Sequence, residues 1–245
     1  MADEKESKKP IVKKKAPISK KKKAWFQIVA PELFGKAVIG ETLVEDAKQT
    51  IGKTIGLSLM SLTGDMKKQH VTVTFAVDNV AEGKGQTTAI SYDIAPASIK
   101  RLVRRGRERV DASFICETKD GVKLAIKPFL LTAYETNRST LTAIRKYAVA
   151  FIATYVSMND YGTVFKDAVT GRLQAGVREA VRHIYPIRAS EIRIMHITKP
   201  TVKVTALPHA SINVEQIMQG SQNRAPRRAP VRSEALQQSA EAAAE

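Results

Sequence analysis

Residues 71–77 read Val-Thr-Val-Thr-Phe-Ala-Val, with the larger apolar side chains at every second position. A period of two is typical of a β-strand that buries one face. The loop Glu82-Gly83-Lys84-Gly85 follows, and residues 87–94 return with a second strand-like pattern. The two segments therefore predict a β-hairpin with a mobile tip.

Similar patterns extend over residues 36–131, which we predict to be β-rich. Strand-like segments occur at residues 37–44 and 54–62, and two more flank Lys119-Asp120-Gly121 at residues 112–118 and 122–131. Asp-Gly is a strong signal for a hairpin turn. About six short strands separated by glycine turns favour a sandwich or a small barrel.

Helical periodicity replaces this pattern at residues 136–185. A first helix, capped by Ser139 or Thr140, carries an apolar stripe at spacings of three and four. A second helix is predicted at about residues 161–170, and a third at about 173–184, separated by Gly171 and stopped by Pro186. Residues 191–198 then alternate as a strand. The first stripe consists of Leu141, Ile144, Ala148, Phe151 and Tyr155.

The predicted fold class is α+β, in which an antiparallel β-barrel-like part precedes a helical part with a returning strand. We expect a disordered lysine-rich tail at residues 1–24, the β-rich part at 25–135, the helices and returning strand at 136–207, and a disordered C-terminal tail at 208–245. Trp25, the only tryptophan, begins the folded part. It has the chemistry to stack on a base, but we predict that it anchors packing at the domain edge.

The charge of the chain indicates a polyanionic partner. There are 40 Lys and Arg residues against 24 Asp and Glu residues, a net charge of +16. Residues 1–24 alone contain ten lysines and three acidic residues. No apolar run of about 18 residues is present to cross a bilayer, and the tail lacks the apolar face and lipidation motif of a stable membrane anchor. Nucleic acid is therefore the favoured partner.

Residues 100–109 contain six basic residues and one acidic residue. The preceding Pro96-Ala97-Ser98 predicts a short helix with Ser98 as its cap. On such a helix, the arginines at 101, 104, 105 and 109 share one face while Leu102 and Val103 turn toward the core. The alternative is a solvated face paired with acids, but acids are scarce in this segment.

We therefore predict that RNA phosphates are bound by the two lysine runs of the tail, the arginine segment and the first long helix. Arginine suits this role because its planar fork grips two phosphate oxygens. Arg145, Lys146, Arg178 and Arg182, on the predicted helices, are secondary candidates. The predicted contacts are Lys13, Lys14, Lys15, Lys20, Lys21, Lys22, Lys23, Arg101, Arg104, Arg105, Arg107, Arg109, Arg145 and Lys146.

No motif in the sequence indicates catalysis. Cys116 is the only cysteine and lies in an apolar run, which predicts a buried, inert thiol. The four histidines have no metal-ligand spacing. Gly52-Lys53-Thr54 lacks the upstream glycine of a phosphate-binding loop, because residue 47 is alanine. We expect no catalytic residue, no metal, no cofactor and no small-molecule substrate.

Several short motifs occur in the order of a known family. The segment Lys23-Ala24-Trp25-Phe26…Ala30-Pro31…Phe34 is followed by Ile39-Gly40-Glu41-Thr42-Leu43, Thr118-Lys119-Asp120-Gly121, Ala143-Ile144-Arg145-Lys146 and Ile184-Tyr185-Pro186. Together they resemble the archaeal and eukaryotic small-subunit ribosomal protein family S-one-e, also called S-three-A-e, over roughly residues 20–205.

This resemblance implies a cytoplasmic, ribosome-associated protein with a β-barrel-like part and helices. It also implies a place on the platform of the small subunit near the messenger exit, with ribosomal RNA and neighbouring small-subunit proteins as partners. Two other functions remain open on the residues alone. One is a free RNA-binding or chaperone-like factor outside the ribosome, and the other is an enzyme acting on nucleic acid, which needs a cluster of carboxylates or histidines in a cleft.

Overall fold

The computed structural model describes residues 22–81, 83–198, 202, 204–205, 214 and 217–218. The α+β prediction is confirmed: strands come first, helices follow, and one strand returns. Within the described residues the strands are β1 Ala24–Val29, β2 Val38–Val44, β3 Thr54–Ser58, β4 Val71–Ala81, β5 Lys84–Ile94, β6 Arg109–Asp111, β7 Phe114–Glu117, β8 Lys123–Thr132 and β9 Ile187–Ile197. The α-helices are α1 Leu59–Thr63, α2 Pro96–Leu102, α3 Arg138–Met158, α4 Tyr161–Thr170 and α5 Arg172–Val181.

The strands form one open sheet, ordered β2-β1-β5-β9-β8-β6, with β3 added through β4 and β7 added through β8. The predicted hairpin at residues 71–94 is confirmed as the β4–β5 pair, in which Val71 lies opposite Ile94. Each described ladder is antiparallel except that between β1 and β5, where Gln27 lies opposite Lys84. The strand β5 therefore joins the two halves of the sheet, because β1 pairs with its start and β9 with its end.

The returning strand β9 is an interior strand of the sheet. It lies between β5 and β8, with Met195 opposite both Tyr92 and Ile126. The Ile192 and Met195 side chains are buried in the same core cluster as the residues of β4 and α3. A strand from the C-terminal part thus completes the core that the N-terminal strands begin.

The helices pack through the stripe predicted from their spacing. Ile144, Ala148, Phe151 and Tyr155 of α3 are buried, and Leu141 packs against the core cluster. Burial of side chains as large as Ile144 and Phe151 stabilises the fold by roughly 1.5–3 kcal/mol each. The break between α4 and α5 falls at Gly171, whose φ of 89° lies in the left-handed region that glycine adopts without strain.

Side-chain contacts link the helices to each other and to the sheet. The hydroxyl of Tyr155 on α3 donates to Asp167 on α4, which also lies 3.9 Å from Arg172 on α5. The pKa of Tyr155 is raised, mainly by burial and secondly by the hydrogen bond to this carboxylate. The hydroxyl of Tyr161 donates to the carbonyl of Ala89 on β5 at 2.5 Å.

Several predicted boundaries are wrong. Residues 59–62 belong to α1 rather than to a strand, and this helix is terminated by the residue after it, Gly64, which has a φ of 75°. The helix α3 begins at Arg138, so Asn137 precedes it in place of Ser139 or Thr140. The third predicted helix is too long, because α5 stops at Val181 and is followed by a turn in which the amide of Ile184 donates to the carbonyl of Val181 at 2.9 Å. The strand β9 starts at Ile187, directly after Pro186, which could not continue a helix.

The prediction that Trp25 anchors packing is also wrong, because its side chain is 67% exposed. Successive residues of a strand point to opposite faces. In β1 the buried face carries Ile28, which is 0% exposed, so that Trp25 and Gln27 lie on the outer face.

Among the described residues, no helix combines the length and the low charge that crossing a bilayer would require.

Candidate nucleic-acid interface

The arginine segment is a loop with a helix on one side and a strand on the other. The helix α2 begins at Pro96 and not at Ser98, since proline at the first helical position already has a helical φ. It ends at Leu102, and Val103 is extended. The predicted single helical face of arginines is therefore wrong. Arg101 lies in the last turn of α2, Arg104, Arg105 and Arg107 lie in the connection, and Arg109 starts β6.

Both ends of this segment are fixed to the core. On the helix side, Ile99 is buried, and the apolar side chains of Leu102 and Val103 pack against the core cluster. On the strand side, the amide of Glu108 donates to the hydroxyl of buried Thr132 at 2.9 Å, and the amide of Thr132 donates to the carbonyl of Glu108 at 3.0 Å. We call residues 101–109 the basic loop.

Most arginines of the basic loop have no acidic partner. In the part of the chain that the structure describes, Arg101, Arg104, Arg105 and Arg107 form no ion pair, whereas Arg109 is bound by Asp111. The hydrogen bond to Asp111 raises the pKa of Arg109 above its ordinary value. Three of the four unpaired side chains are exposed, and that of Arg107 is half-buried. Their charge is therefore available to an external anion.

The structure brings Arg145 of α3 to the edge of this loop. Its Nε donates to the backbone carbonyl of Asp111 at 3.0 Å, while the Asp111 carboxylate binds the guanidinium of Arg109. The preceding residue, Ile144, is fully buried and fixes the helix at this point. Both terminal nitrogens of Arg145 remain available, because only its Nε is used in this bond. Lys146 is exposed beside it.

Sequence reasoning did not identify Asp111 as the residue that organises these two arginines. A signal was present, because Asp111 lies two residues after Arg109 and shares its face of a strand. Its second carboxylate oxygen, Oδ1, is buried without a hydrogen-bond partner in the described residues. The guanidinium of Arg109 also lies 5.8 Å from the centre of the Phe129 ring, a cation–π geometry that helps to hold it.

The other predicted contacts are not gathered at this loop. Lys22 and Lys23 are exposed at the start of β1, several strands away from β6 along the sheet. Arg182 is ion-paired with Glu179 at 3.4 Å, and Arg178 interacts electrostatically with Glu191. The predicted contacts that lie outside the described residues are Lys13, Lys14, Lys15, Lys20 and Lys21.

The thiol of Cys116 is buried, as predicted, and burial raises its pKa to about 12, so it is not a nucleophile at neutral pH. No three or more His, Cys, Asp or Glu side chains in the described ranges are arranged to hold a metal ion. The arrangement at the basic loop is suited to binding anions.

Comparison with known proteins confirms the family resemblance that the short sequence motifs indicate. The Ribosomal S3Ae family matches residues 11–200. "Small ribosomal subunit protein eS1" of Methanosphaerula palustris is 32% identical over 172 residues, which cover 70% of this chain and 87% of the relative. The eS1 proteins of Halorubrum lacusprofundi and Saccharolobus islandicus are 29% and 32% identical, over 80% and 73% of this chain and 92% and 86% of their own lengths. The chain therefore belongs to the ribosomal S3Ae family.

Proposed function

We propose that this protein is a structural constituent of the small ribosomal subunit and that its basic loop binds the phosphate backbone of ribosomal RNA. The observation that carries this proposal is the set of four arginines in the loop, at positions 101, 104, 105 and 107, with no acidic partner in the described residues. Family membership supplies the context, because the relatives are named small-subunit ribosomal proteins.

The anchoring of the loop explains how it binds. Because Ile99 and Thr132 hold its two ends, the backbone between them loses little conformational entropy when RNA binds. The guanidinium groups then exchange water and counterions for phosphate oxygens, which releases cations and makes the affinity depend on salt. Arg145 extends the same anion-binding surface onto α3.

Phosphate contacts of this kind position a protein without reading a base sequence. Specificity for one place in the ribosome therefore comes from the shape of the RNA and from neighbouring small-subunit proteins. The lysines at 13–15 and 20–23 add further contacts of the same electrostatic type. The protein acts in this way in the cytoplasm, on the ribosome, as a binding component and not as an enzyme.

Sedimentation tests this proposal directly. A tagged full-length chain is followed through a density gradient of cell lysate at low salt and again at high salt. We expect it to migrate with small subunits in a one-to-one ratio and to be released as the salt concentration rises. If the protein instead sediments slowly, outside the ribosome and bound to other RNA, the proposal is contradicted and a free RNA-binding factor is favoured.

A further inference from the structure

The outer face of β1 carries an exposed aromatic side chain that the basic loop does not explain. Trp25 is 67% exposed, and the residue opposite it on β2, Leu43, is 44% exposed. Residues opposite each other in an antiparallel pair lie on the same face of the sheet. Exposed apolar side chains that adjoin one another in this way mark binding surfaces more often than single ones do.

The polar residues of the same face are arranged in a row beside this pair. Gln27 lies two residues after Trp25, with Glu41 opposite on β2 and Lys84 opposite on β5. All three are exposed. With strand geometry of about 3.3 Å per residue and about 4.8 Å between strands, Lys84 starts about 8 Å from Trp25. We call Trp25, Leu43, Gln27, Glu41 and Lys84 the Trp25 face.

Positive charge flanks the indole on both sides. Lys22 and Lys23 directly precede β1, and Lys84 follows on β5; none of the three makes an ion pair within the described residues. Glu41 is the one carboxylate of the Trp25 face. Beyond Gln27, the face continues into a cavity of about 560 Å³ whose lining includes Val29, Val38 and Lys84. The cavity is also lined by Glu32, whose charge is paired with that of Lys36 at 3.0 Å.

We infer that the Trp25 face binds a single-stranded RNA segment by stacking an unpaired base on the indole of Trp25, with lysines on either side contacting the adjoining phosphates. Aromatic side chains on an open sheet surface, flanked by cations, bind unpaired nucleotides in this way. The amide of Gln27 is placed to donate to or accept from the edge of a base. This inference rests on the proposed function, since it names a second RNA contact of the same protein.

Trp25 reports on its own binding because it is the only tryptophan in the chain. The experiment titrates the full-length protein with a single-stranded RNA of about ten nucleotides, a site size typical of such surfaces, and with the duplex of the same sequence. Intrinsic tryptophan fluorescence reports stacking, and the anisotropy of end-labelled RNA reports total binding. We expect the single strand to quench Trp25 strongly and the duplex to bind with little quenching.

Variants separate stacking from charge. Because stacking contributes about 1–3 kcal/mol per base, Trp25→Leu should weaken single-strand binding about 5- to 150-fold. Trp25→Phe should retain most of the affinity, and duplex binding should not change in either variant. Met158→Ala is the matched control, because Met158 is an exposed apolar residue on α3, away from this face. Lys84→Gln should weaken single-strand binding, whereas Glu41→Gln should strengthen it.

The two readouts distinguish failure of this inference from failure of the proposed function. If labelled RNA binds but Trp25 is not quenched and Trp25→Leu binds normally, the Trp25 face is not an RNA site and the basic loop remains one. If Trp25 fluorescence then changes only when purified small-subunit proteins are added, the face is a protein-docking surface and the inference is overturned. If neither RNA binds, both the inference and the proposed function are wrong.

Discussion

Arg109 donates from Nε to Oδ2 of Asp111 at 2.6 Å, across two residues on one face of β6. The two side chains are 45% and 36% exposed, so the pair adds at most about 1 kcal/mol of stability. The pair distinguishes Arg109 from the other arginines of the basic loop, because Arg109 has an acidic partner among the described residues and the others have none. The charges that remain available lie at Arg101, Arg104, Arg105 and Arg107.

Charge reversal at Arg104 and Arg105 should weaken RNA binding without unfolding the protein. Both side chains are exposed and lie in the connection between α2 and β6. Charge-assisted hydrogen bonds contribute about 1.5–3 kcal/mol each, so R104E/R105E should bind RNA about 100-fold more weakly or worse at moderate salt. Filter binding at several salt concentrations should also show a shallower salt dependence, because fewer cations are released.

The control for this double variant is Arg182→Glu, which reverses one positive charge where the double variant reverses two. Arg182 is an exposed arginine that directly follows α5 and is already paired with Glu179. We expect little change in RNA affinity. If only the overall charge matters, the control should lose about half of the binding free energy that the double variant loses, because it makes half of the charge change. A loss of that size in the control would contradict a specific role for the basic loop.

Replacement of Arg145 by lysine should weaken RNA binding although the charge is kept. The Nε of Arg145 is held by the carbonyl of Asp111, which leaves the terminal nitrogens for a phosphate. Lysine has a single nitrogen and cannot make both contacts in this geometry. We expect a loss of about tenfold, measured by anisotropy of labelled RNA. Lys146→Arg is the control, and an affinity of Arg145→Lys equal to wild type would show that Arg145 is not positioned by Asp111 for binding.

Phe75 should be among the most sensitive positions for stability. Its side chain is fully buried and meets the ring of Phe34 edge-on at a centroid distance of 5.5 Å, and Phe34 also contacts Phe165 of α4. Phe75→Ala should lower the free energy of unfolding by about 3–5 kcal/mol. Urea unfolding followed by circular dichroism provides the measurement. The neighbouring Thr72→Ala, on the exposed face of β4, should cost less than about 1 kcal/mol; a similar loss in both variants would place Phe75 outside the core.

The buried thiol of Cys116 predicts a loss of stability at high pH. Burial raises its pKa to about 12 in the folded protein, whereas an exposed cysteine titrates near 8.5. The folded state therefore keeps the thiol protonated, and this contribution is complete below about pH 8.5 and is lost as the pH rises toward 12. Urea unfolding between pH 8 and 11 should show the decline, and Cys116→Ala should show a shallower one. Rapid alkylation of the folded protein at pH 8.5 would contradict the burial of this thiol.

The sequence predicted the parts of the fold that depend on local periodicity. The alternation at residues 71–77, the Asp-Gly turn at 120–121 and the Gly171 break all correspond to structural elements. The predicted start of α2 is wrong because Pro96 and Ser98 are both residues that are common near helix starts, and the local sequence does not decide between them.

The site was harder to predict because it depends on contacts between distant segments. The link from Arg145 to Asp111 spans 34 residues, and no local pattern indicates it. The position of Trp25 is hard to predict for a different reason. Its face of β1 depends on whether Ile28 or Trp25 points inward, and a six-residue strand with apolar residues on both faces leaves this open until its neighbours are known.

Crosslinking within the assembled particle tests the central claim most directly. Small subunits that contain the full-length chain are purified and irradiated, and the peptides of this protein that carry RNA are identified together with the nucleotides attached to them. We predict that ribosomal RNA is attached to peptides that contain Arg101 to Arg109 or Arg145. If those peptides carry no RNA while others of the same chain do, or if they are attached only to neighbouring proteins, the basic loop is not the RNA-binding surface.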